Sequence, residues 1–364
     1  MKKSLVIIAA GGTAGHIMPG LVIADVLKKR NWDVLWLGNR HKMESDLVRS
    51  NGVDFRSINF DGLPNRKITT LLSFPFKLLI SMMNVWKIFY LKKPDLVIGM
   101  GGYITIPVCL VASLKRIPIV LHEQNAVMGR ANSILYKFAS QVLSGYPIDH
   151  YKNIKFVGNP VRNEFLNISS SYYRYDLRAD KTLKLLVLGG SLGSGDINNC
   201  VPEAIHLLPT EERPLVFHQC GNKHVKKINE KYKELGLKAD CVGFIDNISQ
   251  ELSNADLVIC RSGAMTIAEI TAVGVASLLI PFPNAVKNHQ WKNAEFLYRV
   301  GAAWLIKQDE LTPEWLACWL KTINRNDLLK VAVKAHSLYK PDTNNIIAES
   351  CERFKKNNTY EKKY

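Results

Sequence analysis

Ser4-Leu5-Val6-Ile7-Ile8-Ala9-Ala10 runs into Gly11-Gly12-Thr13-Ala14-Gly15, and Leu183-Lys184-Leu185-Leu186-Val187-Leu188 runs into Gly189-Gly190-Ser191-Leu192-Gly193. Each is a short apolar run entering a glycine-rich turn, the pattern of a buried strand that feeds a helix. A second echo accompanies the first: Asp95-Leu96-Val97-Ile98-Gly99-Met100-Gly101-Gly102 matches Asp256-Leu257-Val258-Ile259-Cys260-Arg261-Ser262-Gly263. Each half of the chain therefore carries its own α/β sheet. Glycine turns at helix starts let backbone N–H groups approach an anion where the helix dipole also favours negative charge. Two such sets point to a phosphorylated ligand held in a cleft.

Working outward, apolar runs at 4–10, 33–37, 95–99, 117–121 and 141–144 alternate with helical spacing, the rhythm of a parallel sheet. Gly158-Asn159-Pro160 and the polar stretch 163–182 break that rhythm and read as the passage between domains. It resumes with strands near 183–188, 214–219, 240–243, 256–260 and 276–280, followed by helical patterns over 312–340. The expected division is 1–162 and 163–340, with a charged tail over 341–364 whose helix packs back on either domain. At 364 residues, 47% of them hydrophobic and 22% charged, the chain suits two globular cores and excludes disordered and fibrous classes.

The 48 Lys+Arg against 32 Asp+Glu give a net charge of +16, which attracts polyanions, anionic lipid and phosphorylated substrates alike. The basic residues are dispersed and form no stripe interleaved with aromatics, which argues against a nucleic-acid groove. Seven cysteines without a C-x-x-C pair suggest neither a disulfide framework nor a zinc site. The apolar run after Met1-Lys2-Lys3 ends in a glycine turn by Gly11, too short for a signal peptide, so a cytoplasmic protein is expected. Residues 71–91 are long and greasy, but they contain Lys77, Lys87 and Pro75, and a central lysine costs about 2.5–3.5 kcal/mol on insertion. Flanked by Arg66, Lys67, Lys92 and Lys93, the segment is read either as an amphipathic helix lying in the headgroup layer or as a helix buried in the first domain.

Neither glycine turn has the G-x-G-x-x-G spacing of a dinucleotide site or a Gly-Lys-Ser/Thr ending, and the chain has no Asp-x-Asp pair to hold a divalent metal. Charge on a departing diphosphate must then be met by backbone dipoles and basic side chains. Ligands of open α/β sheets sit beyond the carboxyl ends of the strands. In the first half that edge carries Thr13, Ala14, Gly15 and His16, then Gly101 and Gly102, then Glu123 and Asn125. In the second it carries Ser191, Ile245, Gly263, Ala264, Glu269, His289 and Gln290.

Taken together, these motifs resemble those of the MurG-type transferases. The likeness spans nearly the whole chain: Gly11-Gly12-Thr13-Ala14-Gly15-His16, Gly101-Gly102-Tyr103, His122-Glu123-Gln124-Asn125, Gly158-Asn159-Pro160-Val161-Arg162, Gly189-Gly190-Ser191, Cys260-Arg261-Ser262-Gly263-Ala264 with Thr266 and Glu269, and His289-Gln290. The resemblance implies a GT-B fold, two Rossmann-like domains with parallel sheets facing a central cleft. It also implies inverting, metal-independent transfer, without a cofactor, of N-acetylglucosamine from UDP-N-acetylglucosamine. The acceptor would be the C4 hydroxyl of undecaprenyl-diphosphate-linked N-acetylmuramyl-pentapeptide, converting lipid I to lipid II in peptidoglycan synthesis. A peripheral position on the cytoplasmic face of the bacterial inner membrane, held to anionic lipid through residues 66–93, follows from the same likeness.

Carried over position by position, the backbone at Ile245 faces uracil, Glu269 accepts from ribose hydroxyls, and Ser191 with the helix start at Gly263 and Ala264 meets the phosphates. Met265, Thr266, Ile267 and Ala268 complete that helix turn. Asn125, Arg162, His289 and Gln290 contact the sugar or diphosphate, and Thr13, Ala14, Gly15, Gly101 and Gly102 face the acceptor diphosphate. His16 is the candidate base, since an imidazole titrates near neutrality, and Glu123 is the rival as base or orienting carboxylate. The sequence departs from the family pattern at Ala14, Leu192 and Ser194, where Gly, Gln and Ala are usual. Two other readings remain open: a UDP-N-acetylglucosamine 2-epimerase on the same plan, and a noncatalytic membrane- or polyanion-binding protein.

Overall fold

The computed structural model describes residues 3–39, 42–60, 68–179, 181–190 and 193–355, and the chain separates into two compact units, Met1–Pro160 with Asp342–Tyr364, and Val161–Pro341. Arg162, counted with the first domain in the sequence division, groups with the second.

The first unit runs β1 (Ser4–Ala10), α1 (Ala14–Lys29), β2 (Trp32–Gly38), α2 (Lys42–Ser50), β3 (Asp54–Ser57), α3 (Ile68–Lys92), β4 (Leu96–Gly101), α4 (Thr105–Leu114), β5 (Ile119–Glu123), α5 (Arg130–Leu135), β6 (Gln141–Ser144) and β7 (Ile154–Phe156). Its seven described strands pair in the order β3-β2-β1-β4-β5-β6-β7, all parallel. Parallel strands covered on both faces need apolar side chains on both, which is why β1 reads as a continuous apolar run rather than an alternation. One face packs Ile17, Leu21 and Leu27 of α1 against Val6, Ile8 and Ile98; the other packs Val85 and Phe89 of α3 and Val108 of α4 against Ile7, Val97 and Leu121. The weakly patterned strands β3 and β7 lie at the sheet edges and escape the sequence reading because they have little core to face.

The second unit runs α6 (Ser171–Asp176), β8 (Lys184–Leu188), α7 (Gly195–His206), β9 (Leu215–Gln219), α8 (Val225–Glu234), β10 (Ala239–Val242), α9 (Ile248–Asn254), β11 (Leu257–Cys260), α10 (Ala264–Val273), β12 (Ala276–Leu279), α11 (His289–Tyr298), β13 (Trp304–Leu305), α12 (Pro313–Thr322) and α13 (Arg325–Ser337). Its strand order, β10-β9-β8-β11-β12-β13, repeats that of the first sheet. The aspartates of the internal echo do the same job in each unit. Asp95 accepts from the Leu5 N–H at the start of β1 (2.9 Å), and Asp256 from the Lys184 N–H at the start of β8 (2.9 Å).

The polar stretch 163–182 is not a linker. Within it α6 packs into the second unit, with Arg174 donating to the Val273 and Gly274 carbonyls and the Tyr175 hydroxyl donating to the Asp256 carbonyl, all at 2.6 Å. Its polarity serves buried backbone groups that would otherwise lack partners. The last helix, α14 (Thr343–Glu352), returns to the first unit: Ile347 and Cys351 join the core beside α1, Thr343 Oγ1 donates to the Val157 carbonyl, and Arg30 pairs with Glu352 at 2.8 Å. The helix of the tail thus packs on the first unit.

Helix α3 buries one side of 71–91 in the first unit and exposes the other. Phe74, Leu78, Met82, Val85, Ile88 and Phe89 recur at helical spacing against the core. The opposite side leaves Phe76, Leu79, Ile80, Met83, Trp86, Tyr90 and Leu91 exposed, up to 71% at Phe76, among the exposed Lys77, Lys87, Lys92 and Lys93. Arg66 and Lys67 lie outside the described residues. Among the described residues no helix is long and apolar enough to cross a membrane.

Candidate functional site

Both sheets reverse strand order at their first strand, between β1 and β4 and between β8 and β11, and ligands of such sheets bind beyond the strand ends at that point. The first unit brings its glycine turns together there. Gly102 has φ +83°, and a Cβ on it would stand 2.3 Å from the Gly11 carbonyl oxygen, so only glycine fits this approach. A Cβ on Gly101 would stand 2.7 Å from Cδ2 of His16; the bare backbone makes room for the imidazole.

His16 lies in the first turn of α1, with Nδ1 3.2 Å from the Gly11 carbonyl and 3.2 Å from Thr13 Oγ1. A carbonyl only accepts, so it assigns the proton to Nδ1 and leaves the lone pair on Nε2, the tautomer a base acting through Nε2 requires. The Thr13 side chain makes no cap hydrogen bond, and the Ala14 and Gly15 N–H groups have no intrahelical acceptor, which leaves this helix start to an acceptor from outside the helix.

Glu123 is buried at the end of β5 and accepts four hydrogen bonds: from Asn125 N (3.1 Å), Asn125 Nδ2 (3.2 Å), Gly129 N (2.9 Å) and Asn132 Nδ2 (2.8 Å). The four donors occupy both of its oxygens. Glu123 thus ties Asn125, Gly129 and Asn132 to the end of β5. Beside it His122 is fully buried, and burial pushes its pKa down to about 4. It stays neutral, with Nε2 3.0 Å from the Gly158 carbonyl and Nδ1 3.2 Å from Gln124 Nε2.

In the second unit, the turn after β11 opens α10 with Gly263 as its N-cap; glycine has no side chain to occupy the N–H groups of Ala264, Met265 and Thr266. Arg261 holds that turn in place: Nη1 donates to the Ile280 carbonyl (3.1 Å), and Nη2 to Ser194 Oγ (2.7 Å) and Gln308 Oε1 (2.6 Å). Ser194, one of the departures from the family pattern, is thereby employed internally. Ser262 Oγ donates to the Gln290 carbonyl (2.8 Å), and Gln290 Oε1 accepts from the Phe282 N–H (2.9 Å), so the turn and the start of α11 are tied together. His289 opens α11 with Nδ1 2.8 Å from the Val286 carbonyl.

One and a half turns into α10, Glu269 meets Arg162, Nη2 to Oε1 at 3.7 Å, and the same Nη2 reaches Glu164 at 3.1 Å. Burial pushes the Glu269 carboxyl up to about 7; the Arg162 guanidinium lowers it and the Glu164 carboxylate raises it. Ile245 sits half-buried in the loop after β10. The side chains of Ile267 and Ala268 are buried in the unit, and the Ile267 N–H donates to the Gly263 carbonyl at 3.0 Å. Ser191 lies outside the described residues. Glu164 and Arg261 went unassigned in sequence; the first had no motif, and the second gave no sign that its partners came from three separate loops.

Comparison with known proteins follows these features. Residues 6–144 match the glycosyltransferase family 28 N-terminal domain and 184–346 the C-terminal domain of the same family. The chain belongs to glycosyltransferase family 28. It is 45% identical to a Bordetella petrii protein named UDP-N-acetylglucosamine--N-acetylmuramyl-(pentapeptide) pyrophosphoryl-undecaprenol N-acetylglucosamine transferase, over 97% of this chain and 98% of that one. A protein of the same name from Polynucleobacter asymbioticus is 45% identical over 96% and 98%. The crystal structure of Acinetobacter baumannii MurG superposes with a TM-score of 0.84 at 34% identity, covering 97% of this chain and all of that one. The fold is therefore GT-B, and the chain is a glycosyltransferase.

Proposed function

We propose a division of labour between the two units in the reaction for which the relatives are named. The enzyme transfers N-acetylglucosamine from UDP-N-acetylglucosamine to the undecaprenyl-diphosphate-linked N-acetylmuramyl-pentapeptide, lipid I to lipid II. In our reading the second unit holds the nucleotide sugar. The observation that carries this is the meeting of Arg162 and Glu269 beside an α10 start whose N-cap is glycine. The cation and the open N–H groups of Ala264, Met265 and Thr266 suit a diphosphate, and the carboxylate suits ribose hydroxyls. Ser191 would add a further phosphate contact, the main chain at Ile245 would read uracil, and His289 and Gln290 would line the sugar.

The first unit would take the acceptor diphosphate on Thr13, Ala14, Gly15, Gly101 and Gly102, with Asn125 positioned by Glu123. His16 Nε2 would withdraw the proton of the C4 hydroxyl as that oxygen attacks the anomeric carbon. UDP leaves from the opposite face, so configuration inverts and a β-glycoside forms. Charge building on the leaving β-phosphate oxygen would be met by Arg162 and the α10 dipole, preorganised groups that need little reorganisation during the step.

We also read the exposed apolar side of α3 as the contact with an anionic membrane surface: Phe76, Leu79, Met83, Trp86 and Tyr90 enter the headgroup layer while the lysines meet lipid phosphates. This would place the enzyme peripherally on the cytoplasmic face, where a UDP-sugar and a lipid-borne acceptor coexist. The function is tested by incubating the protein with UDP-N-acetylglucosamine, with and without the muramyl lipid. UDP release that depends on acceptor supports transfer; acceptor-independent conversion of the sugar would support the epimerase reading instead.

A further inference from the structure

We propose that Glu164 is a latch on Arg162: in the empty enzyme it holds the guanidinium that a nucleoside diphosphate must capture, and so sets the affinity for the nucleotide. The inference rests on the reading above that Arg162 meets the diphosphate.

Arg162 caps the short turn Asn163–Phe165 that carries Glu164, and the two side chains meet across Asn163. The guanidinium carbon lies 5.4 Å from the centre of the buried Phe165 ring, and Nη2 lies 3.1 Å from Glu164 Oε1. The same nitrogen is 3.7 Å from Glu269 Oε1, so Glu164 is the nearer of two carboxylates sharing one nitrogen. With both carboxylates ionised the cluster carries one net negative charge, which repels an incoming diphosphate. Capture by phosphate exchanges one charge-assisted bond for another and releases Glu164, which is 40% exposed, to water. Glu269 is only 18% exposed and stays in place for the ribose.

Arg162 and Glu164 act directly on Glu269, and the other charged groups belong to elements packed against α10. Arg162 and Glu164 come from the turn before α6. Arg174 and His336 reach α10 at its far end, through the Val273, Gly274 and Thr271 carbonyls. On α11, His289 bonds the Val286 carbonyl and Lys292 pairs with Glu295; α9 contributes Glu251 in its first turn.

The test is UDP binding by calorimetry across pH 5.5–8.5 for the full chain, Glu164→Gln, Arg162→Ala and the double variant. Gln keeps the shape of a half-exposed side chain, so folding is preserved. The latch predicts that Glu164→Gln binds UDP about tenfold more tightly, the order expected when a charge-assisted bond to Arg162 no longer has to be broken on capture. It predicts that the gain vanishes when Arg162 is Ala, and that the pH midpoint of binding moves down because a carboxylate beside Glu269 is gone. Unchanged or weaker binding in Glu164→Gln, or an equal gain without Arg162, overturns the latch while leaving the nucleotide site intact. UDP affinity that is indifferent to Arg162→Ala overturns the underlying reading and the latch with it.

Discussion

The Glu269→Gln substitution is expected to stabilise the second unit at pH 8 and to do far less at pH 5, while weakening UDP binding. Burial raises the carboxyl from its ordinary 4.5 to about 7. Between those values the folded state holds a proton that the unfolded state has released, so stability falls as pH rises from about 4.5 to about 7 and then levels off. Each tenfold gain in proton affinity on folding is worth about 1.4 kcal/mol, so the loss between pH 5 and pH 8 is on the order of 2–3 kcal/mol. The side chain is 18% exposed, so screening by water removes only part of it. Gln keeps the shape without the charge and escapes the loss. For a unit of this size the difference amounts to about 5–10 °C in midpoint. Differential scanning calorimetry at both pH values measures it, with the second unit identified as the transition that UDP shifts upward in the unmodified protein. The variant's midpoint advantage should widen by that amount between pH 5 and pH 8. A constant advantage, or none, would mean that Glu269 is not held near neutrality, and the reasoning from its burial would fail.

Three further substitutions probe the first unit. His16→Ala should lower kcat at least a hundredfold with little change in KM for the UDP-sugar, the signature of lost general-base catalysis; a parallel rise in KM would mark a binding residue instead. Glu123→Ala strands the donors of Asn125, Gly129 and Asn132 and should cost about 3 kcal/mol by chemical denaturation, whereas a near-neutral result would remove its orienting role. Replacing Phe76, Met83 and Tyr90 together by Ser should abolish sedimentation with anionic liposomes while thermal stability stays unchanged, because all three are exposed. Persistent sedimentation would refute the membrane reading of α3.

The α/β class, the doubling of the sheet and most of the central strands were legible in sequence because parallel strands buried on both faces are written as contiguous apolar runs. The glycine turns could be read for the same local reason: a backbone that must approach another closely has only one residue available to it. Edge strands such as β3, β7 and β13 lack that signal, and α6 was hidden because its polar side chains bond to carbonyls far away in the chain.

By itself, then, the order of residues determined the two strand-and-glycine-turn frameworks and the motif set of the glycosyltransferase family. It left open which face of α3 is wet, which domain receives the C-terminal helix, and what surrounds the Glu123 carboxylate. Those depend on neighbours remote in sequence: Val85 and Phe89 find a core while Phe76 and Tyr90 do not, α14 finds α1, and four donors close around one carboxylate. Only the folded chain brings Arg162 between Glu164 and Glu269, two carboxylates 105 positions apart that no pattern along the sequence connects.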